Sequence, residues 1–375
     1  MKKTLIALAA LAAGSASFAQ VSITGSIITG YKASSVSAAA GSGLALLKNG
    51  ALASVADNFV GGSGGNPTGD ASGLGVDTST LTFAASEDLG GGMKVDASMN
   101  FDTVTRKEVV GGDTSLKLTT GIGRFTLQTY KPVDYLSGGI SGVGGAGLDD
   151  RVFSARTSKD SAGFDTKFGP VVLSYAHFEA GPSKKSPTNL LGLGVGAAGD
   201  ASAGGQRINS YALTYLGGEL VANLNYLQYD GRGDTDSTYK DVIRTSASYN
   251  AGFAKFGAGY SRTTTMGGAT VTDSLVAASV PVGNSWTFGA NYGIGNVEGS
   301  TIARDAIIAA KGLATANALG IQATDLDGSR NGYSLTAAYA LSKRTSVTAS
   351  YVNWLSSPFA ANRNTEATLF LAHSF

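Results

Sequence analysis

The chain has 375 residues, with 53 Gly, 7 Pro, no Cys, charged residues at 15% and a formal net charge of +1. A near-neutral chain without a basic field gives no reason to expect a nucleic-acid partner, and the lack of cysteine excludes disulfide frameworks, thiol nucleophiles and thiolate metal sites. So low a charge fraction is unusual for a water-exposed surface, yet no internal segment approaches the ~20 consecutive apolar residues that a spanning helix requires. Alternating strands account for both facts, because they are apolar on average but never in a block.

The N-terminus reads as an export signal. Met1, Lys2 and Lys3 make a charged start, Thr4 to Ala13 a short apolar run, and Ser17 and Ala19 place small residues where a signal peptidase reads. The run is too short to serve as a membrane anchor. Cleavage after Ala19 is expected, leaving one domain, 20–375, and taking the formal charge from +1 to −1.

Val21 to Tyr31 opens that domain with a strand, its face of Val21, Ile23, Ile27 and Tyr31 opposing Ser22, Thr24 and Ser26. A Gly/Ala/Ser-rich stretch follows to about Val76, within which Leu44 to Val55 suits a short helix. Ser79 to Ser86 and Met93 to Phe101 then form a hairpin across Glu87 to Gly92. In its second strand Met93, Val95, Ala97, Met99 and Phe101 oppose Lys94, Asp96, Ser98 and Asn100. Hairpins of the same kind recur: Ser115 to Thr120 with Arg124 to Tyr130, Ser161 to Lys167 with Val171 to Glu179, and Arg207 to Leu216 with Glu219 to Tyr229. Tyr239 to Tyr249 pairs with Ala254 to Arg262, Ala269 to Val280 with Ser285 to Ile294, and Arg330 to Ala340 with Thr345 to Leu355. Long loops separate them, notably Pro132 to Arg156, Gly181 to Gly205 and an Ala-rich stretch ending near Ser329. The last strand, Thr365 to Phe375, alternates to the final residue, with Ala367, Leu369, Leu371, His373 and Phe375 on one face.

The count is about sixteen strands of roughly 7–12 residues, near the length that crosses a bilayer when tilted. Tight turns and long loops alternate, which collects the tight turns at one end. Tyr and Phe recur near strand ends, as interfacial girdles require. The reading is all-β: a 16-stranded antiparallel transmembrane barrel.

Specific stretches carry a family resemblance. Tyr339 to Thr345, reading Tyr-Ala-Leu-Ser-Lys-Arg-Thr, with Tyr351 downstream, resembles a turn of the Gram-negative general porins of beta-proteobacterial and Neisseria type. Glu87 to Lys94 is similar to that family's Glu-Asp-Leu-Gly-x-Gly-Leu-Lys hairpin, Ala372 to Phe375 to its terminus, and Gln20-Val21 to its mature start. The resemblance implies a trimeric outer-membrane barrel with short periplasmic turns, long extracellular loops and passive diffusion of small hydrophilic solutes and ions. It implies that the third long loop, here Pro132 to Arg156, folds into the pore. Asp149 and Asp150 would then be the acidic side of the constriction, with Arg151 and Arg156 as basic residues of the same loop. Lys94, Lys117, Arg124 and Lys131 would be the basic wall opposite. Two basic wall positions of the family are absent: Ser79-Thr80 stands where Ser-Arg is common, and Gln128 to Lys131 where Gly-Arg-Gln is. The resemblance also makes Phe375 part of the signal read by the outer-membrane assembly machinery.

Other motifs read as bland. Gly194 to Gly199 spells a dinucleotide fingerprint but sits inside a Gly/Ala loop rather than between strand and helix. Asp325 to Gly328 lacks the later ligands of a calcium loop. His177 and His373 are the chain's two imidazoles, and neither has a nucleophile and acid nearby in sequence. No catalytic residue, metal site or cofactor is expected. The alternatives are a channel of the same fold tuned to one solute, or a non-conducting adhesin or structural barrel.

Overall fold

The computed structural model describes residues 20–36, 69–102, 110–132, 135–136, 139–149, 151–153, 158–180, 206–230, 239–265, 269–299, 327–355 and 363–375. Sixteen antiparallel strands close on themselves. In chain order they are β1 (Gln20–Val36), β2 (Gly69–Gly90), β3 (Met93–Asp102), β4 (Val110–Thr120), β5 (Gly123–Tyr130) and β6 (Lys159–Phe168). Then come β7 (Val171–Ala180), β8 (Gln206–Gly217), β9 (Leu220–Asp230), β10 (Tyr239–Asn250) and β11 (Lys255–Thr265). The last are β12 (Thr270–Val282), β13 (Trp286–Glu298), β14 (Gly328–Ala340), β15 (Thr345–Trp354) and β16 (Asn364–Ser374). The strand count and the closed antiparallel topology agree with the reading from alternation. The expected helix at Leu44 to Val55, the loop Gly181 to Gly205 and the Gly194 to Gly199 motif lie outside the described residues.

Closure satisfies every edge. In hydrocarbon an unpaired backbone group costs several kcal/mol, so a spanning sheet must have no free side. β1 therefore pairs with both β2 and β16. At the seam the final residue joins in: the Gly25 amide donates to the Phe375 carbonyl at 3.0 Å, and the Phe375 amide returns the bond at 3.0 Å.

Alternation sets the faces. Val21, Ile23, Ile27 and Tyr31 all point outward and are exposed, as are Met93, Met99, Leu369 and Leu371. Outward rings form two levels. Trp286 stacks on Phe288 at 5.7 Å and meets Tyr339 at 4.8 Å near the short turns. Farther up, Tyr175, Tyr211 and Tyr226 form a run at 5.4 and 6.5 Å, and Tyr333 meets Tyr351 at 6.2 Å. Amphipathic rings at both rims of an apolar band are what lipid interfaces select. The turn after β2 needs left-handed backbone at Gly90, Gly91 and Gly92 (φ 77, 62 and 79°), which is why three glycines stand there.

The first hairpin is longer than expected. β1 runs to Val36 and β2 begins at Gly69, ten residues before the predicted Ser79, with Val36 opposite Gly69. Beyond the lipid band both faces of a strand meet water, so pairing needs no alternation and leaves no periodic signal to read.

The closing seam is tight at Gly30. A Cβ there would collide with the backbone carbonyl of Leu369 across the seam, which cannot yield. Gly73, on the other side of β1, has open space around it. Gly30→Val should therefore cost about 3 kcal/mol or more by overpacking and sharply reduce the heat-modifiable folded form on gels. Gly73→Val should leave that form unchanged.

Candidate constriction site

The segment joining β5 to β6 enters the barrel and packs against the inner faces of β11 to β16. Its apolar side chains Leu136, Ile140, Val143, Leu148, Val152 and Phe153 bury against Leu275, Ala277, Val352 and Trp354. A single 3-10 turn, Ser141–Gly144, lies on this floor. The wall beneath makes room by glycine. A Cβ at Gly257 would lie 3.2 Å from both Ile140 and Val143, one at Gly259 3.2 Å from Leu136, and one at Gly293 2.7 Å from Phe153. Close approach of two backbones is what a strand glycine permits.

Backbone groups of the segment need partners, and wall side chains supply them. Asn291 Nδ2 donates to the carbonyls of Ser141 (3.0 Å) and Ala146 (2.7 Å). Thr336 Oγ1 accepts from the Ala146 amide at 2.9 Å, and Ser334 Oγ donates to the Ala146 carbonyl. Arg330 Nε donates to the Val152 carbonyl while its Nη2 pairs with Asp273 at 2.7 Å, both side chains being 1% exposed. A second clamp is charged on both sides. Arg151 Nη2 meets Glu366 at 2.6 Å and lies over the Trp354 ring at 5.7 Å, and Lys32 meets the other Glu366 oxygen at 2.7 Å.

The predicted site residues fall in three places. Asp149 is turned back into its own segment, accepting from the Tyr135 amide at 3.4 Å, and its backbone bridges to Phe153. Asp150 and Arg156 lie outside the described residues. Lys94, Lys117 and Arg124 do come together on the inner face of β3 to β5: Lys94 and Arg124 flank Thr119, and Lys117 stands opposite Asp96. That patch lies within a few residues of the short turns and is interleaved with acids. Lys94 meets Asp96 at 2.8 Å and Arg124 meets Asp165 at 2.9 Å. Lys131 sits at the opposite end of β5, where its amide donates to Asp113 at 2.8 Å.

The residues that hold the segment were missed by alternation. On β12 the inward face is Val271, Asp273, Leu275 and Ala277, more apolar than the outward Thr270, Thr272 and Ser274. A wall covered by a loop behaves as core, so its polarity reverses. The signal was a charge between apolar residues of one face, as Asp273 lies between Val271 and Leu275. Both histidines face outward, His177 against Asn209 (2.9 Å) and His373 against Thr345 (2.9 Å). Among the described residues no cluster of His, Asp and Glu could hold a metal ion. Asp327 instead accepts from the Gly299 amide at 3.0 Å.

Comparison with known proteins agrees with this architecture. A family profile described as Gram-negative porin matches residues 4–354. Among solved structures, the anion-selective porin from Comamonas acidovorans is similar at 17% identity and a TM-score of 0.61, covering 95% of this chain and 100% of that one. The outer membrane channel DcaP of Acinetobacter baumannii is similar at 13% identity and a TM-score of 0.61, covering 96% and 99%. OmpT, an outer membrane protein of Vibrio cholerae in trimer form, is similar at 10% identity and a TM-score of 0.54, covering 95% and 99%. No curated protein matches in sequence.

The two clamps should differ in cost. Arg330→Met leaves Asp273 fully buried without its partner and should destabilise the barrel by about 3–5 kcal/mol. Arg151→Met leaves Glu366 with Lys32 and should cost roughly 1 kcal/mol. Midpoints of urea unfolding in detergent check the order.

Proposed function

The chain belongs to the Gram-negative porin family, and we propose that its diffusion channel narrows where residues 135–153 lie against β11 to β16. The outer-membrane barrel passes solutes without chemistry: the outward band meets lipid, and the lumen opposite the segment stays wet. Inward on β8 and β9, Thr214 and the half-buried Asn223 and Asn225 are polar, with Thr214 donating to Asn223 at 2.7 Å. The observation that carries the reading is the built seat for the segment. An adhesin or passive structural barrel has no need of a glycine floor, two ion-pair clamps and an amide aimed at two loop carbonyls inside its lumen.

Charged groups at this waist include Arg151, Lys32 and Glu366, while Asp149 holds the segment's fold. Lys94, Lys117 and Arg124 with their acids form a separate charged patch that solutes meet at the short-turn mouth. Residues 1–19 act as the export signal, removed on passage, and Phe375 presents the chain to the assembly machinery.

The wall is low on one side, and the barrel assembles there as a trimer. β5 has 8 residues against 13 in each of β12, β13 and β14. Eight residues at ~3.3 Å and a ~45° tilt rise roughly 19 Å, short of the ~25 Å apolar band. Nearby, Thr129 donates to Asp160 on the outer face, and His177 and Glu179 also face outward. Polar groups at the rim of a short wall suit a protein neighbour better than lipid. Below them an outward groove contains Ala85, Ala97 and Ala162, small enough to seat a second copy.

Purified protein in a planar bilayer should give stepwise, ohmic conductance, and a folded barrel that stays silent would overturn the channel reading. Ala97→Trp should leave the barrel folded but convert trimer to monomer, as light scattering in mild detergent would show.

A further inference from the structure

We propose that Arg244 is the residue that gives the waist a preference for anions, carboxylates included; this rests on the channel reading above. Arg244 is inward on β10, and its guanidinium lies over the ring of Tyr135, the first described residue of the inserted segment, at 4.6 Å. The stack places the cation at the waist, with one face of the guanidinium held against the segment. A planar guanidinium keeps its charge at every working pH and stacks on rings without losing its donors.

Arg244 differs from the other arginines of the inner wall in having no carboxylate directly against it. Arg330 is matched by Asp273 and Arg151 by Glu366, and Arg124 by Asp165. Arg244 forms no ion pair among the described residues, and its buried Nε has no hydrogen-bond partner there. Its cross-strand neighbours are Asn225 on β9 and Ser261 on β11, both uncharged. Asn225 is already engaged as a donor to Ser210 at 2.8 Å. Asp273 lies within electrostatic reach but is committed to Arg330. An uncompensated unit charge beside a low-dielectric wall raises the local concentration of the opposite ion and lowers that of its own sign. Tyr135 acts as a positioning residue that fixes where the charge stands.

The test is the reversal potential of the full-length protein in planar bilayers across a KCl gradient. The native channel should favour Cl− over K+. Arg244→Gln should lower the Cl−/K+ permeability ratio about threefold to tenfold, and Arg244→Lys should retain most of it. Should Arg244→Gln fail to fold, Asn225→Asp supplies a carboxylate directly opposite Arg244, while Asn223→Asp puts the same charge two residues nearer the short turn. The first should lower the ratio clearly more than the second. A native channel with no anion preference, an unchanged ratio in Arg244→Gln, or equal effects of the two aspartates would each overturn the proposal. A folded protein that does not conduct at all would instead overturn the channel reading.

Discussion

Polypeptide inside a barrel brings backbone carbonyls to a place where no strand is left to pair with them. Here Asn291, Ser334 and Arg330 supply the missing donors, and Thr336 the matching acceptor. A buried carbonyl without a partner costs about 1–3 kcal/mol, so these side chains decide where the segment can lie. The glycines of β11, β13 and β14 then let it approach, and Leu136, Ile140, Val143 and Phe153 fill the space. One half of the barrel interior becomes core. The wall of β3 to β6 stays polar, with Lys94, Asp96, Lys117, Thr119, Arg124 and Asp165 side by side, and the asymmetry makes a channel out of a closed sheet.

The same asymmetry distributes charge. Where the segment covers the wall, ions are buried and must be matched, as Arg330 and Asp273 are. Toward the open lumen Lys32, at 40% side-chain exposure, shares the buried Glu366 with Arg151. Arg244 stands on the boundary between these regimes, touching the segment through Tyr135 and facing the uncharged Asn225 and Ser261 on its neighbouring strands. Its position between dry and wet walls is what lets a single cation matter.

The barrel was legible in the sequence because lipid imposes alternation on every strand it touches, from Met93 to Phe101 and again at Leu369 to Phe375. The seat of the inserted segment was far less so. Covered strands such as β12 turn Val271 and Leu275 inward, which alternation alone reads as a lipid-facing stripe. The upper parts of β7 to β10 invert likewise, with Phe178, Ile208, Leu227 and Val242 clustered inside. The family resemblance points to Asp149 and Asp150 as constriction acids, yet the Asp149 carboxylate turns back to accept from the Tyr135 amide. Pairings such as Arg151 with Glu366, 215 residues apart, depend on closure of the whole barrel, and no local pattern reports them.

The chain has no cysteine of its own, which allows a clean test of the segment's position. Val143 Cβ lies 3.4 Å from where a Cβ on Gly257 would stand, close to the Cβ separation of a disulfide. Oxidation of the Val143→Cys, Gly257→Cys double variant should link segment to wall in nearly all molecules while leaving single-channel conductance at its native value. A folded double variant that does not cross-link, or a link that forms and changes the conductance severalfold, would contradict a segment resting against β11 to β16.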